Sequence, residues 1–214
     1  MGSLNITNKL NVKFKWWNTG GKSPIIVYTP KGASSLADSY KNRVTPGVLD
    51  AIPDIAPTWD ATNGWTMSGS NDLHSTSYTI TQNLSFLIRY SNYSPTASFE
   101  YLTGTSTGKV SLRVIGTGFT RVWGYINGSS FGDTHDYLSG VLAITGTPTA
   151  YYNGSPLQTG SVPSSFSESA NYYIGSYGGS GTNRFIGYIQ AVAIYTVNLT
   201  DNDILTVSTN MLNL

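Results

Sequence analysis

The chain contains no cysteine and little charge. Without cysteine there is no disulfide, no thiolate metal site, no Cys nucleophile and no redox clue to a compartment. Charged residues make up 11% of the sequence, against about 25% in ordinary domains, and the formal net charge is +1. A surface that neutralises phosphates needs clustered Lys and Arg, so no nucleic-acid partner is expected, and long-range steering of an ionic ligand is weak. Histidine is confined to His74 and His135, too few for the three or four ligands of a zinc site built on imidazole. No window approaches the roughly 18 apolar residues of a membrane span, so no membrane partner is expected either. Met1-Gly2-Ser3-Leu4 runs into polar sequence without the basic and apolar regions of a secretory signal, so triplets such as those at Asn83, Asn127, Asn153 and Asn198 read as chance in an Asn/Ser/Thr-rich chain rather than as glycosylation sites.

What is abundant is Tyr (15), Trp (5) and Gly (23), with Ser, Thr and Asn in place of charge. Such a surface suits neutral, hydroxyl-rich ligands, and Tyr presents area with a polar tip at low entropic cost. The 214 residues fit one all-β domain large enough to build its own core.

Periodicity supplies the strands. Leu10, Val12, Phe14 and Trp16 alternate with Asn11, Lys13 and Lys15, which predicts a half-buried strand over 10–17; Ile25–Tyr28 predicts a second. Ala51–Pro57 reads as loop or extended edge because of its prolines. Alternation from Tyr78 to Tyr90 predicts one long strand, and 98–103 with 109–115 a hairpin. Thr120–Ile126 ends at Asn127-Gly128, and Thr149–Tyr152 at Asn153-Gly154, both favoured hairpin turns. In Gly187–Tyr195 the inward residues Ile189, Val192 and Ile194 are unevenly spaced, which implies a β-bulge. Thr200 is placed to cap a helix with Asp201 and Asp203 in its first turn, burying Ile204, Leu205 and either Val207 or Ser208.

The pieces Ala150-Tyr151-Tyr152-Asn153-Gly154, Tyr173-Ile174-Gly175, Phe185-Ile186-Gly187-Tyr188-Ile189, Val192-Ala193-Ile194-Tyr195 and Leu199-Thr200 resemble the end of a laminin-G-like (concanavalin-A-like) jelly roll. The resemblance covers about 110–211 closely and 33–90 more loosely. It implies an all-β, two-sheet antiparallel jelly-roll β-sandwich with a short C-terminal helix, over 31–214, preceded by a strand or docking segment over 1–30. The low-charge version with Gly64-Trp65-Thr66-Met67-Ser68-Gly69 is similar to free-standing copies among bacteriophage structural proteins. That implies a non-enzymatic virion surface protein (capsid decoration, fibre or tail-associated) with weak glycan attachment. Its partners would be other virion proteins, further copies of itself and cell-surface glycans. A secreted carbohydrate-binding module or lectin is the alternative, a glycoside hydrolase the third reading. Some members of this family bind Ca²⁺ at the sandwich rim, but the carboxylate often found at the position of Gln190 is missing. No cofactor is therefore expected, with Ca²⁺ left open.

The residues carry no catalytic motif. Glu100 and Glu168 are the only glutamates and lie far apart in sequence, whereas glucanases of this fold set two Glu on one strand face. Asp133-Thr134-His135-Asp136 is a polar cluster that reads either as a metal or acid/base site or as a plain turn. Sugar recognition asks for an aromatic face and planar polar groups, which makes Asp136, Tyr137, Tyr177, Asn183 and Arg184 the candidate glycan contacts. Arg121 and Trp123 share a strand face and would form a platform if that face is open. Phe14, Trp16 and Trp17 are the candidate docking residues, with one Trp entering the core and the other free to meet a partner.

Overall fold

The computed structural model describes residues 15–94, 100–116, 120–134, 137–161, 163–178 and 183–214. Its elements are β1 (Ile26–Tyr28), α1 (Leu36–Ser39), β2 (Ile52–Ile55), β3 (Thr58–Asp60), β4 (Gly64–Ser68), β5 (Asp72–His74), β6 (Tyr78–Thr81), β7 (Ser85–Ser91), β8 (Glu100–Thr105), β9 (Val110–Gly116), β10 (Thr120–Ile126), β11 (Ser129–Thr134), β12 (Gly140–Thr145), β13 (Thr149–Tyr152), β14 (Ser155–Thr159), β15 (Ser167–Ala170), β16 (Tyr172–Ile174), β17 (Ile186–Tyr195) and α2 (Asp201–Leu212). One sheet runs β14-β13-β12-β7-β17-β4-β3, with β1 also on β17. The other runs β11-β10-β9-β8-β16-β5-β2, and β15 pairs with β6 in a small ribbon. These strand ladders are antiparallel. The expected all-β sandwich with a short C-terminal helix is what the chain adopts.

The two sheets differ in what covers them, and the sequence pattern follows. The central strands β12, β7 and β17 of the first sheet are buried on both faces. Phe86, Ile88, Leu142, Ile144, Ile189, Val192 and Ile194 face the second sheet. Leu87, Val141, Ala143, Ala191, Ala193 and Tyr195 face outward into a second core closed by Ile204, Val207 and Met211 of α2 and by Trp16. Doubly buried strands have no polar side, so β12 is buried along its whole length and apolar from Val141 to Ile144. Ala143 lies on β12, a strand on which α2 packs, where a small side chain lets the helix approach the sheet. The second sheet buries one face only, and β9 alternates accordingly: Val110, Leu112 and Val114 point to the core, Ser111 and Arg113 away.

The implied bulge is present: Ile189 pairs with Tyr90 and Ala191 with Arg89, so Gln190 is the extra residue. It sits where one edge of β17 changes partner, from β4 (through Ile189↔Trp65) to β1 (through Val192↔Tyr28). The helix begins as expected, with Thr200 and Asp203 forming a reciprocal capping box. Leu205 corrects the expected buried face: it is exposed, and Val207, Ser208 and Met211 are buried with Ile204.

The predicted long strand 77–90 is two strands. Its alternation continues through a turn, because Ile80, Leu84 and Phe86 bury and the half-buried Tyr78 packs on the same core, while the Thr81 hydroxyl accepts the Asn83 N–H at 3.2 Å and redirects the chain. β6 then pairs with β15 instead of continuing β7.

Phe14 and the rest of the predicted strand up to residue 14 lie outside the described residues. Trp16 and Trp17 occupy a turn closed by Asn18 N–H to Lys15 O at 3.0 Å, rather than a strand. Trp16 is 3% exposed, under α2; Trp17 is half-buried, with its ring edge-on to Trp16 at 5.3 Å. β1 is hydrogen-bonded into the first sheet, so the 1–30 segment is part of the sandwich at least from Ile26. Among the described residues, no helix is long and apolar enough to cross a membrane.

Candidate functional site

The uncovered face of the second sheet carries a cleft built from strand parity. Tyr101 on β8 is opposite Arg113 on β9, and Gly104 is opposite Ser111, which is opposite Tyr125 on β10. In the other direction Gly104 is opposite Tyr173 on β16, and Tyr173 opposite His74 on β5. Tyr125, Ser111, Gly104, Tyr173 and His74 therefore form one row across five strands.

Gly104 is the gap in that row, and Tyr177 fills it from the loop after β16. A Cβ on Gly104 would stand 2.7 Å from Tyr177 Cδ2, and one on Gly108 would collide with the Tyr177 hydroxyl. Two glycines thus let the ring lie across the β8–β9 hairpin. There it stacks on Tyr101 at 4.7 Å with 20° between planes, and the Arg113 guanidinium lies 5.9 Å from the Tyr101 centroid. Tyr101, Tyr177, Gly108, Ser111, Arg113 and Tyr125 line an open cleft of about 200 Å³.

The stacked pair over β8 and Tyr125 on β10 stand two strand spacings apart, about 10 Å between backbones. The hydroxyl of Ser111, the phenols and the guanidinium supply hydrogen bonds at the floor and rim. Burial, and then the neighbouring Tyr101 and Tyr125, push the Tyr177 phenol above its ordinary pKa, with Arg113 opposing. It is a neutral hydroxyl donor at physiological pH.

The other candidate contacts have different placements. Asn183, at φ +59°, presents its carbonyl to the Tyr101 N–H at 2.8 Å. The Arg184 guanidinium reaches inward to Asp72 at 3.2 Å and donates to the Ser70 carbonyl. Asp72 is fully buried; burial raises its carboxyl pKa, Arg184 opposes this, and the Ser176 hydroxyl donates to it at 3.3 Å. Residues 183–184 therefore anchor the Tyr101 end of the cleft from below. Tyr137 is 4% exposed: its hydroxyl donates to Asp133 at 3.0 Å, its carbonyl accepts from Tyr90, and its ring packs on Tyr152 at 4.4 Å. It is an interior strut remote from solvent. Asp136 and His135 lie outside the described residues, as do the side chains of Arg121 and Trp123.

Of the candidate glycan contacts only Tyr177 lines this cleft among the described residues; Tyr101, Ser111, Arg113 and Tyr125 line it without having been candidates. Their signal was the polar parity of β9, which also marks its neighbours through register.

Glu100 is buried and accepts the Ile186 N–H at 3.2 Å, whereas Glu168 lies on the separate ribbon and accepts from the Thr107 hydroxyl. His74 lies 3.4 Å from Asp54 and packs on Tyr173. Among the described residues, no group of three or more His, Asp or Glu is arranged to hold a metal.

No protein-family model and no curated protein sequence matches this chain. Solved structures do. Domain 4 of AbnA, a GH43 extracellular arabinanase from Geobacillus stearothermophilus, in complex with arabinotriose, superposes with a TM-score of 0.63 at 12% identity, over 88% of this chain and 99% of that one. Trypanosoma rangeli sialidase gives 0.59 at 12% identity, over 89% of this chain and 33% of the sialidase. The same enzyme in complex with sialic acid gives 0.60 at 14%, over 91% and 34%. The chain spans about a third of the sialidase and nearly the whole arabinanase domain. At these identities the likeness is one of fold.

Proposed function

We propose that this chain is a non-catalytic glycan-attachment module that holds a saccharide unit between the Tyr101–Tyr177 stack and Tyr125. The carrying observation is the glycine-cradled Tyr177: Gly104 and Gly108 together make room for a ring whose placement completes a polar-rimmed aromatic cleft. The likeness to an arabinanase domain solved with arabinotriose supports a saccharide as the class of ligand. The separation of Glu100 and Glu168 onto different sheets supports attachment rather than hydrolysis. Binding at one shallow cleft is weak, and many copies on one body would add avidity.

The test is a glycan array probed with the intact chain, followed by calorimetry on any hit. Tyr177→Ala is expected to weaken binding about tenfold or more, equivalent to about 1.4 kcal/mol, with the melting temperature nearly unchanged because the ring is half-exposed. Unaltered binding in Tyr177→Ala would sink the assignment of this cleft. Display on a bacteriophage virion is the finer part of the proposal and rests on the resemblance of the Gly64–Gly69 region. Mass spectrometry and imaging of particles that carry this chain would test it, and its absence from any particle would favour a secreted module.

A further inference from the structure

A second cavity, about 430 Å³, opens at one end of the sandwich and shares no lining residue with the cleft. Four connections meet there: the β6–β7 turn, the β12–β13 turn, the segment after β14 and the β17–α2 link. Its volume falls within the range of about 300–1,000 Å³ common for small-molecule sites. Among the described residues, no charged side chain and no aromatic lines it. Its polar groups are the carboxamides of Gln82, Asn83 and Asn198 and the hydroxyls of Thr147, Thr159 and Ser165, set among the apolar surface of Pro148 and Pro163.

The chemistry of that lining is selective. A carboxamide offers an acceptor and two donors side by side, which matches neighbouring hydroxyls that each donate and accept. An ion entering a wall without countercharge loses hydration with no compensation, so neutral ligands are favoured. The walls are also tied together. Gly160 N–H donates to the Pro148 carbonyl at 2.7 Å, the Thr149 and Thr159 hydroxyls meet at 3.1 Å, and Gln82 Oε1 accepts the Phe166 N–H at 3.2 Å. Gly146 is required for this closure, because a Cβ there would collide with the Gln82 carbonyl and stand 2.5 Å from Asn198 Oδ1. A cavity held in shape before binding loses less entropy on occupation. Asn198 Oδ1 is buried and has no hydrogen-bond partner among the described residues, while its amide nitrogen makes only a long 3.5 Å contact to Asn83.

The geometry points to a second binding site at this end of the sandwich, for one neutral, hydroxyl-rich saccharide unit, independent of the Tyr177 cleft. Two such sites make each chain bivalent toward a glycan surface.

The experiment is amide NMR of the intact, ¹⁵N-labelled chain, titrated separately with the methyl glycosides of glucose, mannose, galactose and xylose. At least one is expected to shift the Asn83, Thr147, Gly160 and Asn198 signals saturably, and these shifts persist in Tyr177→Ala. Asn198→Asp and Asn83→Asp put charge into the lining at half-buried and exposed positions and are expected to weaken this binding at least tenfold each, with an otherwise unchanged spectrum. The proposal is overturned if none of the four sugars moves these signals, or if both aspartate variants bind as the parent does. It is equally overturned if Tyr177→Ala abolishes the shifts. Shifts confined to Tyr101 and Tyr125 would overturn this site and leave the cleft standing.

Discussion

Gly64→Ala is expected to destabilise the protein by about 3–4 kcal/mol, whereas Gly128→Ala costs only about 1 kcal/mol. Both glycines have positive φ, +85° and +95°, so both substitutions force an L residue into backbone that glycine alone adopts cheaply. They differ in what the new methyl group meets. At Gly128, in the β10–β11 turn, there is nothing within 4 Å. At Gly64 a Cβ would collide with the Ile189 carbonyl oxygen, approach Lys31 N at 3.2 Å and stand 3.3 Å from the Gln190 Cα. These are backbone atoms of the bulge and of the loop beside it, which cannot rotate away.

Relief requires β4 to move off β17, and the residue after Gly64 is Trp65, fully buried against Tyr28 and Tyr40 with its indole N–H on the Ser39 hydroxyl at 2.7 Å. For a chain of this size each kcal/mol is worth roughly 2–4 °C. Calorimetry should therefore show a drop of about 10 °C for Gly64→Ala and about 3 °C for Gly128→Ala. Equal drops would mean that the cost is conformational only and that the close approach at the bulge does not matter.

The same region shows what was legible in the sequence. The uneven spacing of Ile189, Val192 and Ile194 announced the bulge because all three must reach one core, and the chain achieves this by inserting Gln190. What spacing could not give was the exchange of partners there, since β1 and β4 come from segments far apart in sequence. The polar strands β3, β11, β14 and β15 also went unread. Edge and ribbon strands such as Ser155–Thr159, exposed over most of their length, have no buried face to print a pattern. The site was half legible for a related reason. Tyr177 stood out in a glycine-flanked loop, but its wall and floor are single outward residues on β8, β9 and β10, selected by register. Tyr137 looked equally suitable by composition, and only its packing on Tyr152 and its bond to Asp133 place it inside.

Asp203→Ala is expected to cost about 3 kcal/mol, because one carboxylate serves two functions. As the third residue of α2 it accepts the Thr200 N–H at 2.9 Å and hydroxyl at 2.7 Å, closing the capping box. From outside the helix it accepts the Thr19 hydroxyl at 2.8 Å and the Lys22 ammonium at 2.5 Å, so the segment 19–22 is pinned to the helix start. That segment follows Trp16, whose carbonyl accepts from Asn210, and Trp17, whose carbonyl accepts from Tyr195. Removal of a partly buried partner costs more than the mean hydrogen bond because Lys22 and two hydroxyls lose their acceptor together. Asp203→Asn preserves the size and one acceptor, and about half the loss is expected.

The pH dependence has a definite sign. Burial alone would raise the Asp203 pKa, but the bonds from Lys22, Thr200 and Thr19 outweigh it and hold the carboxyl well below its ordinary value of 3.8. A carboxyl depressed in the folded state stabilises the fold fully above its unfolded value, and that contribution declines as pH falls below about 4. The parent should therefore lose stability more steeply than Asp203→Asn between pH 4 and acid unfolding, so that their denaturation midpoints converge. Hydrogen exchange separates the two functions. Loss of the cap speeds exchange of the first turn of α2, and loss of the strap speeds exchange at Lys22, whose N–H bonds the Thr19 carbonyl at 2.7 Å. Faster exchange at the helix start with Lys22 unchanged would show that Asp203 acts as a cap alone and that the tryptophan segment is held by its own burial.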